Sequence, residues 1–387
     1  MSTAPASLST ATSDAHDATD RILGWRDRLL SSTRFQHAAA RFWPTRWIAR
    51  RRARALFDVV AGFTYSQVLL ACVRLGLFEL LLDRPRDAAE IAAHSGLDDD
   101  ATRRLLTAAI ALRLVERRSG ARYGLGPLGA PLADNAAIAA MVEHHAVLYA
   151  DLADPVALLR DRSRGALGRV WGYAANDDAR QLDDDRVAAY SALMTRSQPL
   201  VADQILDAYP LGRHRCLLDV GGGEGAFAAA AAARHSKLDV MVFDLPAVAA
   251  RARQRFAAAR LGARALAIGG DFACDALPVG ADVVTLVRVI HDHDDERALR
   301  ILRAAHAALP GGGVLLLAEP MAGTSGAEPM GDAYFGFYLL AMGSGRPRTR
   351  DELTTMLRAA GFDRIRPLAT ALPIQTRVLL ARKRTSV

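Results

Sequence analysis

The run Cys216-Leu217-Leu218-Asp219-Val220-Gly221-Gly222-Gly223-Glu224-Gly225-Ala226 constrains this chain more than any other stretch. A short apolar strand meets a glycine cluster that opens straight into an alanine-rich segment. Glycine is needed where backbone turns tightly and a ligand must approach without side chains in between. Asp244 closes a second apolar strand, Val240-Met241-Val242-Phe243. That is about the 20-residue spacing at which an acid grips ribose hydroxyls. The pattern predicts a nucleoside-cofactor site on a doubly wound α/β sheet, with Asp219, Gly221, Gly223 and Asp244 on its carboxyl edge.

The motif alone leaves the cofactor open. Gly221, Gly223 and Ala226 also fit the alanine-ended dinucleotide fingerprint, so a nicotinamide cofactor competes. A glycine turn with no ligand is the plainer alternative. A third apolar strand, Arg264-Ala265-Leu266-Ala267-Ile268, runs into Gly269-Gly270-Asp271-Phe272. Asp271 suits an adenine amino group and Phe272 an adenine face, which favours S-adenosylmethionine.

With 387 residues, 51% of them hydrophobic, the chain can build one large or two ordinary domains. Its net charge of +7 is uneven, because Arg41, Arg46, Arg50, Arg51, Arg52 and Arg54 crowd a segment that also holds Phe42, Trp43 and Trp47. Cys72, Cys216 and Cys274 have no pairing or metal-ligand spacing, as in a reduced cytosolic chain. The first thirty or so residues read as a disordered tail, and the start lacks the apolar core of a signal peptide. The best candidate span, Val68 to Leu82, is broken by Arg74 and Glu79, so no membrane crossing is expected.

Three parts are expected: a tail and basic-aromatic segment over 1–55, a helical part over 56–208, and an α/β part over 209–387. Leu56 to Leu82 is too apolar all round for an exposed helix and calls for a helical or subunit partner. Arg86 to His94, Asp98 to Leu112 and the pair Leu114–Glu116 and Arg122–Leu125 read as a winged helix. Asp98, Asp99 and Asp100 open its second helix with the wrong sign for a phosphate backbone, so no nucleic-acid partner is expected.

A fourth strand, Asp282 to Val287, leads to Arg288 and His291-Asp292, and a fifth, Val314 to Ala318, ends at Glu319. Methyl transfer from a sulfonium needs an aligned oxygen and removal of its proton. A neutral His291 can take that proton while Glu319 holds the other ring nitrogen. The same run also reads as a helix start, with Asp294, Asp295 and Glu296 complementing the dipole. A metal site is a further rival, though consecutive positions rarely face one centre, and none is expected.

Together Leu218–Gly223, Phe243-Asp244-Leu245-Pro246, Gly270-Asp271-Phe272, Arg288–Asp292 and Ala318-Glu319 resemble the class I S-adenosylmethionine-dependent O-methyltransferases of the caffeic-acid and acetylserotonin type. The resemblance runs from about Leu56 to the C-terminus. It implies a Rossmann-like catalytic domain behind an N-terminal helical dimerisation and winged-helix domain, in a homodimer. It also implies that Asp244, Leu245, Gly270, Asp271, Phe272 and Arg288 contact the cofactor, with His291 as base beside Glu319. Within that family the chain is most similar to bacterial hydroxyneurosporene (demethylspheroidene) O-methyltransferases, on Ala61–Val68, Tyr334–Tyr338 and Ala341–Thr349. Two positions depart from the wider pattern. Pro347 stands where a second glutamate usually flanks the histidine, and His293 where a tryptophan often follows the His-Asp pair. His291 is therefore left at most one of the two carboxylate supports.

Tyr334, Phe335, Phe337 and Tyr338 could line a groove for a long apolar acceptor such as a hydroxylated carotenoid, or pack between helices. Tyr190 and Met194 are weaker pocket candidates. A phenol or polyketide is the alternative acceptor. The Phe42-Trp43-Trp47 and arginine segment could rest on a lipid surface, giving a cytoplasmic protein peripheral to the photosynthetic membrane, or pack on a partner subunit.

Overall fold

The computed structural model describes residues 8–170, 198, 201–272 and 274–385. The chain divides into two compact units, Met1–Leu128 and Gly129–Val387.

The first unit begins with helices Leu8–Ser31, Thr33–Arg41 and Trp43–Arg74. Residues 8–31 are thus helical where composition predicts a disordered tail. Ile22–Leu30 supplies arginine and leucine, good helix formers, and the helix packs against Thr33–Arg41. The apolar run after Leu56 breaks at Gly76, whose φ of +60° ends one helix and starts Leu77–Asp83. Among the described helices, Trp43–Arg74 is long and apolar enough in part to cross a membrane, by length and composition only. That helix begins well before the run Val68 to Leu82 on which no crossing is expected from sequence.

Asp87 and Glu90 form a capping box on helix Ala88–Ser95, and Asp98 caps Asp99–Ala111. Antiparallel strands β1 (Val115–Arg117) and β2 (Tyr123–Leu125) follow, completing the winged-helix layout.

The second unit opens with helices Ala136–Asp151, Pro155–Arg160 and Leu167–Val170. Their Leu148, Leu158 and Leu167 are buried with Tyr338, Leu339, Ala341 and Met342 of the late helix Phe335–Met342. The compact unit therefore starts well before the strand–helix alternation at which the sequence divides, because these helices need an apolar partner and find it near the end of the chain.

Its sheet holds β3 (Cys216–Val220), β4 (Asp239–Asp244), β5 (Ala265–Gly269), β6 (Val283–Val287), β7 (Val314–Glu319), β8 (Phe362–Leu368) and β9 (Arg377–Lys383). The order is β5-β4-β3-β6-β7-β9-β8, with β9 antiparallel to its neighbours and the rest parallel. Alternate residues feed opposite faces, as period-two side chains must. Leu217 and Leu316 join Phe227, Ala249 and Phe256 on one side; Leu218 and Leu315 join Ile301, Leu302 and Leu353 on the other. Chain order reverses between β3 and β6, which opens a crevice at their carboxyl ends, where ligands of such sheets bind.

Leu218 is fully buried, whereas Leu266 on edge strand β5 is 53% exposed. Leu218→Ala is expected to lose about 2–5 kcal/mol of unfolding free energy, and Leu266→Ala no more than about 0.5 kcal/mol. Urea unfolding with equal losses at the two sites would contradict the core described here.

Candidate active site

The glycine loop leaves β3 with Gly221 at φ +67° and Gly223 at φ +59°, conformations that a side chain resists. A Cβ at Gly221 would meet Val289 Cγ2 at 2.8 Å, whereas one at Gly223 would meet nothing within 4 Å among the described residues. The N–H of Gly223 donates to Asp244 Oδ2 and that of Leu245 to Oδ1, both at 2.8 Å. Asp219 Oδ1 accepts from Thr285 Oγ1 at 2.7 Å, but its buried Oδ2 has no hydrogen-bond partner among the described residues. Burial pushes the Asp219 carboxyl up to about 7 and that of Asp244 to about 6. The Asp244 carboxylate, fixed by two backbone donors beside the open face at Gly223, fits a ligand carrying hydroxyl donors, as S-adenosylmethionine does.

Gly270 donates its N–H to Asp244 O at 2.9 Å, keeping the ends of β4 and β5 together. Asp271 is buried, 3.9 Å from Arg297 Nη2, and the Phe272 ring meets the His293 ring edge-on at 5.5 Å. Arg288 sits at φ +58° and donates its N–H to Ala318 O at 2.8 Å. That left-handed backbone costs about 1–2 kcal/mol for a residue with a Cβ, strain of the kind held at functional sites. Asp219, Gly221, Gly223, Asp244, Leu245, Gly270, Asp271, Phe272 and Arg288 all lie at the carboxyl ends of β3 to β6.

His291 is buried on a short 3-10 turn, Ile290–Asp292, just past β6. Its Nδ1–H donates to Oε2 of Glu319, the last residue of β7. Glu319 Oε1 accepts the N–H groups of Val289 at 3.1 Å and Ile290 at 2.7 Å. The second ring nitrogen, Nε2, lies 3.1 Å from Asp292 Oδ1. Burial alone would lower the imidazole, but the charges of Asp292 and Glu319 outweigh it and push His291 up to about 10. The two neighbouring carboxylates favour the protonated ring in this arrangement. Of the two supports the family pattern would give, Glu319 is present and Pro347 replaces the other; the tight turn brings a different carboxylate, Asp292, to Nε2.

A strap from Ser344 to Arg348 holds this turn from outside. Ser344 Oγ donates to Asp292 O at 2.8 Å and the Arg346 N–H to His291 O at 3.0 Å. The buried Arg348 donates through Nη1 to Ile290 O at 2.8 Å and through Nη2 to His293 O at 2.6 Å, with Nε on Asp295 Oδ1 at 2.9 Å. Asp294 is engaged by Arg162 at 2.8 Å and by the Gly345 N–H at 3.1 Å, and it makes no side-chain cap bond. Asp294 and Asp295 therefore anchor the strap as well as opening helix Asp295–Ala308.

Aromatic residues close one side. Tyr334 ends a π-helical turn, Pro329–Tyr334, and stacks on Tyr338 with centroids 5.7 Å apart, while Phe335 meets the His291 ring edge-on at 5.8 Å. His145 Nε2 and His144 Nε2 hydrogen-bond the hydroxyls of Tyr334 and Tyr338, each at 2.8 Å. Burial pushes His144 down to about 4 and Tyr334 up to about 12, so both groups are neutral around pH 7. The sequence reading missed these histidines; two adjacent ones inside an apolar helix were the available signal. Phe337, by contrast, is 37% exposed and joins none of these ring pairs, since two residues along a helix turns a side chain away from Phe335. Tyr190 and Met194 lie outside the described residues.

A doubly wound sheet with an acid-lined glycine cradle at its switch point, and a buried histidine on the neighbouring strand end, defines a Rossmann-like transferase that takes an adenosyl cofactor. Residues 149–363 match the O-methyltransferase domain and residues 57–135 the O-methyltransferase dimerisation domain. The chain is 42% identical to a demethylspheroidene O-methyltransferase of Cereibacter sphaeroides, over 88% of its own length and 89% of that protein's. It is 34% identical to mouse acetylserotonin O-methyltransferase, over 82% and 85%. The crystal structure of human N-acetylserotonin methyltransferase in complex with S-adenosylmethionine superposes with a TM-score of 0.72 at 26% identity, covering 86% of this chain and 98% of that one. The chain belongs to the S-adenosylmethionine-dependent O-methyltransferase family.

The His291 contacts make a titration test. Its pKa is raised from 6.5 to about 10, so the stabilisation it lends the fold is complete below pH 6.5 and is lost as pH rises through 10. Asp292→Asn removes one of the raising charges, so NMR titration of the His291 ring is expected to move to lower pH in the ligand-free variant. An unmoved pKa would show that Asp292 does not reach the ring in solution.

Proposed function

We propose that this enzyme methylates the hydroxyl of a hydroxylated carotenoid of the 1-hydroxyneurosporene or demethylspheroidene type, at the surface of a photosynthetic membrane. The single observation that supports the reading is the 42% identity to a demethylspheroidene O-methyltransferase, sustained over 88% of this chain. The wall of Tyr334, Phe335 and Tyr338 agrees with an apolar acceptor, since its hydroxyls are already satisfied by His144 and His145. The working form is proposed to be a homodimer. Leu56, Phe57, Val59, Val60 and Phe63 are exposed in the single chain around the start of the dimerisation domain, where a second subunit would cover them.

S-adenosylmethionine, when bound, supplies a sulfonium-borne methyl group to the acceptor oxygen, with the carbon–sulfur bonding pair returning to sulfur. Asp244 would take the ribose hydroxyls, the open face at Gly223 would admit the cofactor's backbone approach, and Asp271 with Phe272 would hold the adenine. Arg288, held on a left-handed backbone just past β6, would contact the cofactor beside them.

His291 is the proposed proton acceptor. An acceptor hydroxyl bound at Nε2 would take the place of Asp292, and loss of that contact would lower the ring pKa and free its nitrogen. Glu319 remains on Nδ1, fixes the tautomer and stabilises the imidazolium formed. A tertiary alcohol is far less acidic than a phenol, so its proton must leave as the methyl arrives and positioning carries much of the rate. A ring made more basic by Glu319 suits that weak acid.

Purified enzyme with labelled S-adenosylmethionine is expected to label demethylspheroidene and related carotenols in preference to phenols. Preference for a phenol would replace the carotenoid reading with that of an aromatic acceptor. His291→Ala should slow turnover by roughly 10²–10⁴-fold with S-adenosylhomocysteine affinity nearly unchanged, and Glu319→Gln should cost less. Near-normal turnover in His291→Ala would contradict its role as base. Asp244→Ala should weaken S-adenosylhomocysteine binding several-fold in calorimetry, and unchanged affinity would mean that the ribose lies elsewhere.

A further inference from the structure

The helix Trp43–Arg74 carries at its start a surface that methyl transfer does not use. At 3.6 residues per turn, Trp43, Trp47, Arg50 and Arg54 form one stripe, with Arg46 and Arg51 beside it. The opposite side is occupied: Thr45 Oγ1 donates to Ala39 O of helix Thr33–Arg41 at 2.9 Å, and Thr45 and Ala49 on that side are half-buried. The stripe faces away from that contact. Trp43 is 78% exposed and Phe42 and Trp47 are each 62% exposed, with all the neighbouring arginines exposed too. No acidic residue occurs from Arg28 to Phe57, so this cationic surface has no acids of its own segment to balance it.

We infer that residues 41–54 dock the enzyme on an anionic lipid bilayer. Charge complementarity selects the occupant. A second copy of this chain would bring arginine against arginine, and the dimerisation domain begins only at residue 57. Anionic headgroups answer the arginines, while indole rings are at home at the depth of the membrane interface. Arg46, Arg50, Arg51, Arg52 and Arg54 would be costly inside the hydrocarbon, so the segment lies on the surface rather than crossing it. The inference rests on the proposed acceptor class for its purpose, since a polyene acceptor dissolves in that bilayer, but the contact itself needs no acceptor.

The full-length protein is tested by sedimentation with vesicles of phosphatidylcholine alone and of phosphatidylcholine with phosphatidylglycerol. Binding is expected only with the anionic vesicles, with release as salt rises. Arg50→Ala/Arg54→Ala is expected to lower partitioning about tenfold or more, and Trp43→Ala/Trp47→Ala also to lower it. Both variants should remain dimers and methylate detergent-dispersed acceptor at the wild-type rate. Equal binding to both vesicle types, salt-resistant binding, or unchanged binding in both variants would overturn the proposal. So would dissociation of the arginine variant into monomers, which would assign the stripe to a subunit contact. Wild-type protein that binds anionic vesicles yet methylates no carotenol would sink the acceptor reading and leave the surface standing.

Discussion

The site depends on one buried carboxylate. Glu319 ends β7 almost without solvent, where an unpaired charge would be very costly, and three donors meet it. The N–H groups of Val289 and Ile290 occupy one oxygen, and the His291 ring takes the other. The chain leaving β6 is thereby fixed to the end of β7, and the imidazole orientation follows from the same anchor. Val289 also packs beside Gly221, so the turn held by Glu319 forms one wall of the glycine cradle. Glycine loop and histidine are joined through a single point.

The strap adds a second constraint. Carbonyls of Ile290, His291, Asp292 and His293 all accept hydrogen bonds from the segment Ser344 to Arg348. A turn with so few backbone bonds of its own would otherwise be mobile, and His291 in its proposed role as proton acceptor must be held to within a fraction of an ångström. Arg348 can be buried because its guanidinium meets two carbonyls and Asp295, a set that matches its planar fork. The pairs His144–Tyr338 and His145–Tyr334 work similarly on the other flank, removing polar groups from the wall that carries Phe335 to the histidine.

Much of this was legible in the sequence for a physical reason. Parallel strands deliver their last residues to one edge, so Asp219, Asp244, Asp271, His291 and Glu319 could be assigned to one crevice from strand periodicity and glycine turns alone. Side-chain reach was less legible. Asp292 was read as part of a helix start, and only the turn's geometry brings it to Nε2. His144 and His145 find partners nearly two hundred residues away, a pairing that no local pattern encodes. The helices from Ala136 to Val170 looked like part of an N-terminal half because their apolar faces carry no label for the late helix that covers them. Phe337 shows the converse, since composition grouped it with aromatics from which helical phase separates it.

The roles of His291, Asp292 and Glu319 are tested most directly by a crystal structure of the enzyme with S-adenosylhomocysteine and its hydroxylated acceptor. The acceptor oxygen is expected at about 2.6–3.2 Å from His291 Nε2, with Asp292 displaced from that nitrogen and Glu319 still on Nδ1. An acceptor oxygen remote from the ring, with Asp292 still bound to Nε2, would contradict it.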